Sequence, residues 1–327
     1  MKKNIFNNKI TTEDFIIDKY FSKLNFGRFE TFNYKNDAAF LKCKKNHKII
    51  TTNDTIVEGI DFYKNNEPQS IAQKIITTNL SDLSAMGATP YSYMLSLCLS
   101  RNIDLNWLKK FSYHLFKLQK KYNFFLLGGD LSKSKQLVLS GTFYGYAKSN
   151  YIISQNKLNI NDDIWVTGNL GESYFGYKIN KYNKFNLNKK IHNYFIKKYL
   201  FPEPCMLGYK ISKYCSSAID ISDGFFGDLN KMLNNQFGAV INTKHLPISA
   251  YLIKLLNKKI INLNEVLNWG DDYELIFTAK KSQESLLKRI AKKNNTKITK
   301  VGYITKKQGI CDNFFKDIDF CKFDHFA

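Results

Sequence analysis

The sequence predicts an α/β (α+β) protein of two domains. Three observations carry that expectation. Short β-branched apolar runs alternate with amphipathic helical segments along the whole chain. A length of 327 residues is more than one core usually organises. A polar stretch, residues 148–161, interrupts the alternation and divides the chain into 1–148 and 149–327.

In the first half, Thr11 and Asp14 resemble a capping box opening a helix to Phe21, with Phe15, Ile16, Tyr20 and Phe21 as its apolar face. "KIITT" (48–52) is a short strand, and "NNEPQS" (65–70) a loop. Ile71, Ala72, Ile75, Ile76, Leu80 and Leu83 then mark a helix that Gly87 ends. Asp82 falls in its last turn, where the helix dipole opposes a negative charge. "YMLSLCLS" (93–100) reads as a buried strand. Leu105, Leu108, Phe111, Leu115 and Leu118 line one side of the next helix. "FFLLGGD" (124–130) is a strand breaking at two glycines, and "LVLSGTFYGYA" (137–147) is another strand. In the second half "DIWVTGNLG" (163–171) is a strand and glycine turn, and "AIDISDGFFGDLNKML" (218–233) a strand entering a helix. "GDDYELIFTA" (270–279) is a turn into a strand, and "TKVGYITKK" (299–307) a further strand. No internal repeat is present.

Composition narrows the function classes. Hydrophobic residues make up 44% and aromatics 15%, enough for packed cores and unlike a disordered chain. The net charge of +21 comes almost wholly from scattered lysines, the only arginines being Arg28, Arg101 and Arg289. No dense basic patch forms, so a nucleic-acid partner is not expected; a field attractive to phosphate-bearing small molecules is. The six cysteines show no metal or disulfide spacing. The N-terminus lacks an apolar signal region, and no run is long enough to span a membrane. The chain is therefore expected to be cytoplasmic.

The chemistry sits in carboxylates. Asp37, Asp54, Asp82, Asp130, Asp220 and Asp223 all read as element termini near small or glycine residues, where a backbone can approach a ligand. Aspartates that converge would hold Mg²⁺ ions on a polyphosphate, because hard cations take oxygen ligands and share them with phosphates. Each aspartate alone is an ordinary turn-maker; the set carries the signal. Walker, dinucleotide-binding and protein-kinase motifs are absent, and the five histidines have no metal-ligand spacing.

In order, "TTNDTIVEG", "NLSDLSAMGA", "LLGGD", "DISDG", "GDDYELIFT" and "FDHF" resemble the thiamine-monophosphate kinase family, within the aminoimidazole-ribonucleotide-synthetase-like superfamily. The resemblance spans nearly the whole chain. It implies a two-domain fold whose N-terminal sheet pairs with its copy in a homodimer. It also implies that ATP and thiamine monophosphate are converted to ADP and thiamine diphosphate with Mg²⁺, the last step of thiamine diphosphate synthesis. It implies metal positions at Asp37, Thr52, Asn53, Asp54, Asp82, Asp130, Asp220 and Asp223. ATP contacts are implied at Gly129, Asp130, Gln155 and Ser222, and substrate contacts at Asp61, Asp271 and Phe323. Five positions depart from the family pattern. Lys35-Asn36-Asp37 stands for Gly-Asp-Asp, Asp61 for a frequent histidine, Gln155 for an arginine and Phe323 for a tyrosine. The alternatives are another ATP-using enzyme of the superfamily or a degenerate nucleotide-binding dimer.

Overall fold

A computed structural model describes residues 12–101, 103–182, 185–314 and 316. The chain divides into two compact units. The first comprises residues up to Leu83 together with Thr89–Lys148; the second comprises Ser84–Ala88 and everything from Ser149 onward.

The first unit opens with α1 (Glu13–Ile16), capped by the Thr12 hydroxyl, which accepts from the Phe15 N–H at 3.3 Å. Thr11, the cap expected from sequence, lies outside the described residues. A single π turn (Ile17–Phe21) and a 3₁₀ turn (Ser22–Asn25) continue the segment. The regular elements are β1 (His47–Val57), α2 (Pro68–Ala85), β2 (Thr89–Leu99), α3 (Leu105–Tyr122), β3 (Phe125–Lys133) and β4 (Val138–Lys148). They form a four-stranded sheet in the order β1-β4-β2-β3. β4 runs antiparallel to β1 and β2, whereas β2 and β3 are parallel, joined by α3 as crossover. α2 covers one face. Its Ile71, Ala72, Ile75, Ile76, Leu80 and Leu83 are buried, and so are Thr77, Asn79 and Ser81.

Two strands run further than their sequences suggest. β1 does not stop at Thr52; it continues through Asn53 and Asp54, which pair with Thr142 and Gly141 of β4. Asn and Asp are poor strand formers, but long-range pairing outweighs that preference. β3 likewise passes through Gly128 and Gly129 instead of breaking there, with a bulge where its pairing to β2 shifts after Tyr93. A Cβ at Gly129 would lie 2.0 Å from the Leu95 carbonyl oxygen, so the strands approach only because this residue has none. Asp54 and Asp130 are therefore strand residues, not residues at strand ends.

The second unit contains β5 (Asp163–Thr167), α4 (Glu172–Tyr182), α5 (Lys189–Leu200), α6 (Gly208–Ile211), β6 (Ser217–Asp220), α7 (Phe225–Leu233) and β7 (Gly238–Ile241). α8 (Ala250–Asn257), α9 (Leu263–Asn268), β8 (Leu275–Ala279), α10 (Glu284–Lys293), β9 (Ile298–Thr305) and β10 (Gly309–Asp312) complete it. Six strands form a sheet in the order β10-β7-β9-β5-β8-β6, antiparallel except for β10 with β7. Both faces are covered. Ile164 and Val166 of β5 join Phe225, Leu229 and Met232 of α7 in one cluster, while Trp165 joins Phe277 and Leu287 in another. This double burial makes β5 and β8 unbroken apolar runs. β7 and β10, of four residues each, are too short to show a periodic signature in the sequence.

Candidate active site

In the first unit, β1 alternates between the face covered by α2 and the open face. Thr52 and Asp54 point towards α2; Asn53 points away, and its amide donates to Gly141 O at 3.1 Å and to Thr142 Oγ1 at 2.8 Å. The Thr52 hydroxyl donates to Asp82 Oδ2 at 2.5 Å, tying the strand to the last turn of α2. Burial pushes the Asp82 carboxyl up to about 6, and the nearby Asp54 carboxylate adds to the rise while the Thr52 hydrogen bond opposes it. Asp54 is raised as well, first by burial; Thr78 hydrogen-bonds to it, and the Asp61 carboxylate raises it further. Asp61 itself accepts from the Val57 N–H at 2.8 Å. Among the described residues neither Asp54 nor Asp82 has a basic ion-pair partner. Two carboxylates are thus held together without a counter-charge, which a divalent cation would supply. This donor set fits Mg²⁺, which is commonly bound by one or two protein carboxylates plus phosphate oxygens.

Asp37 and Asp130 meet elsewhere. Asn36, Asp37, Gly128, Gly129 and Asp130 line a cavity of about 180 Å³ with Tyr34 and Leu126. Asp37 is exposed in a bend after a 3₁₀ turn. Asp130 pairs with Ser96, which pairs with Ser140, which in turn pairs with Thr55 on the open side of β1. Asp130 accepts from the Ser132 hydroxyl at 2.9 Å on that same side. Within the first unit, Asp54 of β1 faces Asp82 of α2, whereas Asp37 and Asp130 lie by the edge strand β3. Among the described residues no three His, Cys, Asp or Glu side chains are close enough together to hold a metal ion by themselves.

In the second unit two glycine-bearing loops lie backbone to backbone. Asp220 ends β6, buried to 7% exposure and paired with Leu275. The Ser222–Asp223 turn that follows is held by Asp228 of α7, whose Oδ2 accepts from the Ser222 and Asp223 N–H groups at 3.0 and 2.8 Å. Lys231 donates to Asp228 Oδ1 at 2.8 Å and also pairs with Asp223. Gly270 has a φ of +100°, and a Cβ there would lie 2.1 Å from the Ser222 carbonyl oxygen. The next residue, Asp271, donates its N–H to that same oxygen at 2.9 Å and accepts the Tyr273 hydroxyl at 2.7 Å. Beneath this loop, half-buried Asp272 accepts from the Gly171 N–H at 2.8 Å and the Ser173 hydroxyl at 3.1 Å. Burial pushes Asp272 and Glu274 both up to about 7. Gln155 offers its carbonyl to the Ser217 hydroxyl at 2.5 Å. Trp269 stacks on Tyr177 at 4.1 Å between ring centroids, a packing role. Phe323 lies outside the described residues.

Sequence reasoning missed Asp228, Lys231, Asp272 and Glu274. Asp272 and Glu274 carry a readable signal, since alternate residues entering a strand share a face. Asp228 and Lys231 carry none, because they act on residues of the preceding turn through the fold of α7.

Residues 35–147 match the family model described as AIR synthase related protein, N-terminal domain. Over 328 aligned residues the chain is 41% identical to thiamine-monophosphate kinase of Buchnera aphidicola subsp. Acyrthosiphon pisum, covering 96% of this chain and 99% of that protein. Its fold is similar to the crystal structure of thiamine-monophosphate kinase from Stenotrophomonas maltophilia, with a TM-score of 0.82 and 27% identity over 94% of this chain and 98% of that one. It is also similar in fold to AaThiL complexed with AMPPCP and TMP, with a TM-score of 0.76 and 24% identity over 86% of this chain and 88% of that one.

Proposed function

The chain belongs to the thiamine-monophosphate kinase family, and we propose that it makes thiamine diphosphate by direct phosphoryl transfer from ATP to thiamine monophosphate, with Mg²⁺ held by its aspartates. The observation that carries the metal reading is the Asp54–Asp82 pair: two half-buried carboxylates, both raised first by loss of solvent, with Thr52 on one Asp82 oxygen and no basic partner among the described residues. Divalent cations supply charge neutralisation and in-line positioning of the phosphates.

The chain's own residues do the rest. Asp54 and Asp82 bind the cation, with Thr52 orienting Asp82 and Asn53 bracing β1 from the other face. Asp37, Gly129 and Asp130 form a further nucleotide and metal position. Asp220 and Asp223 hold metal, and Ser222 and Gln155 contact ATP in the second unit. Asp61, Asp271 and Phe323 contact the acceptor, whose cationic thiazolium suits a carboxylate. A phosphate oxygen of thiamine monophosphate forms the new bond to the γ-phosphorus of ATP. The bond from that phosphorus to the bridging oxygen breaks, and ADP leaves. The attacking phosphate is largely ionised near neutral pH, its second pKa being about 6, so no general base is required. We further propose a cytoplasmic homodimer built on domains 1–148 and 149–327, with no nucleic-acid or membrane partner. Among the described residues no helix is long and apolar enough to cross a membrane.

The test is incubation of the purified chain with thiamine monophosphate, ATP and Mg²⁺. Thiamine diphosphate should form in step with ADP and disappear when Mg²⁺ is chelated. ADP release that ignores the acceptor, or turnover that survives chelation, contradicts the reading.

A further inference from the structure

Lys231 places a positive charge where the reading above places a metal. Its ammonium pairs with Asp223, whose side chain is 29% exposed, and with Asp228, at 1%. Asp228 spends its other oxygen on the Ser222 and Asp223 N–H groups, so the turn, both carboxylates and the ammonium form one connected unit. Lys231 lies three residues after Asp228 on α7, a spacing that brings the two side chains onto the same helix surface. Its partners are therefore fixed by the helix and by the turn, unlike those of an isolated surface lysine. An ammonium has three donors, and the two carboxylates use two of them.

From this geometry we propose that Lys231 is a resident counter-cation for Asp223, so that the second unit takes up fewer divalent ions than its carboxylates provide places for. The inference rests on the reading of Asp220 and Asp223 as metal positions. A divalent ion at Asp223 must either displace the ammonium or sit beside it. Displacement would leave buried Asp228 without its cation, and co-occupancy sets like charges against each other. Either way the lysine weakens divalent binding at Asp223. In this partly exposed setting the effect is about tenfold in affinity. Lys231 acts through Asp223 and is a positioning residue.

The experiment is Mn²⁺ titration of the full chain in the presence of a non-hydrolysable ATP analogue, with free Mn²⁺ read by electron paramagnetic resonance. Wild type is compared with Lys231→Met, Lys231→Arg, Asp223→Asn and the Lys231→Met/Asp223→Asn pair, each checked for a native thermal transition. Lys231→Met should bind one additional Mn²⁺ per chain, or bind its weakest ion about tenfold more tightly. Lys231→Arg should match wild type, and adding Asp223→Asn to Lys231→Met should erase the gain. If Lys231→Met matches wild type while Asp223→Asn alone loses an ion, metal simply replaces the lysine and the proposal is wrong. If Asp223→Asn changes Mn²⁺ binding in neither the wild-type nor the Lys231→Met background, the metal reading of Asp223 fails and takes the proposal with it.

Discussion

Replacing Asp82 by asparagine should make the metal-free protein more stable and the enzyme inactive. The folded chain holds the Asp82 carboxyl at about 6, above the usual aspartate range, because burial and Asp54 both disfavour its charge. That displacement corresponds to about 3 kcal/mol of stability given up when the group is ionised. The sign follows from proton counts. Between roughly pH 4 and 6 the folded chain keeps a proton that the unfolded chain has lost. Stability therefore falls as pH rises through that window, and the whole cost is present above it. Asparagine removes the charge, still accepts from Thr52, and can turn its amide towards Asp54. In urea unfolding with chelator the variant should exceed wild type by about 2–3 kcal/mol at pH 8 and by roughly half that at pH 5. Added Mg²⁺ and a non-hydrolysable ATP analogue should stabilise wild type much more than the variant, because the metal meets the pair only when both are carboxylates. A variant less stable than wild type at pH 8, a difference that ignores pH, or near-normal turnover would refute the argument.

Three further outcomes follow from the same geometry. Thr52→Val removes the donor to Asp82 and should destabilise the metal-free chain by about 1–2 kcal/mol at pH 8, measured in the same unfolding assay; no loss would mean the hydrogen bond is not formed in solution. Gly129→Ala should cost more than about 2 kcal/mol, visible as a lowered thermal transition, since its Cβ would press on the Leu95 carbonyl; an unchanged transition would show that the strands separate freely. In the second unit Asp272 and Glu274 are both pushed up to about 7, so stability should fall as pH rises from about 4 to 7 and level off above. Asp272→Asn should flatten that slope, and a slope unchanged by the substitution would place its origin elsewhere.

Much of this protein is legible in order along the chain. The apolar spacing of 71–83 specifies α2, and the leucines of 105–118 specify α3, because a helix repeats its buried face within a few residues. The unbroken apolar runs of β5 and β8 announce strands covered on both faces. The motifs likewise single out the carboxylates for which a chemistry of metal and phosphate is proposed.

What the sequence could not decide is which carboxylates share an environment. Thr52 and Asp82 are 30 positions apart, and they meet because β1 extends through Asn53 and Asp54 and turns alternate residues under α2. Asp130 looks equivalent to Asp54 in the sequence, yet strand register puts it on the other side of the sheet. Gly129 resembles a ligand-cradling glycine, and its structural demand is the approach of β2. Asp228 and Lys231 belong to no recognised motif, and they hold the turn carrying Asp223. The physical reason is common to the first three. Helix periodicity is local, but strand register and the facing of a side chain are set by pairing between distant segments. Charge energies depend on the separation and burial that only such pairing creates.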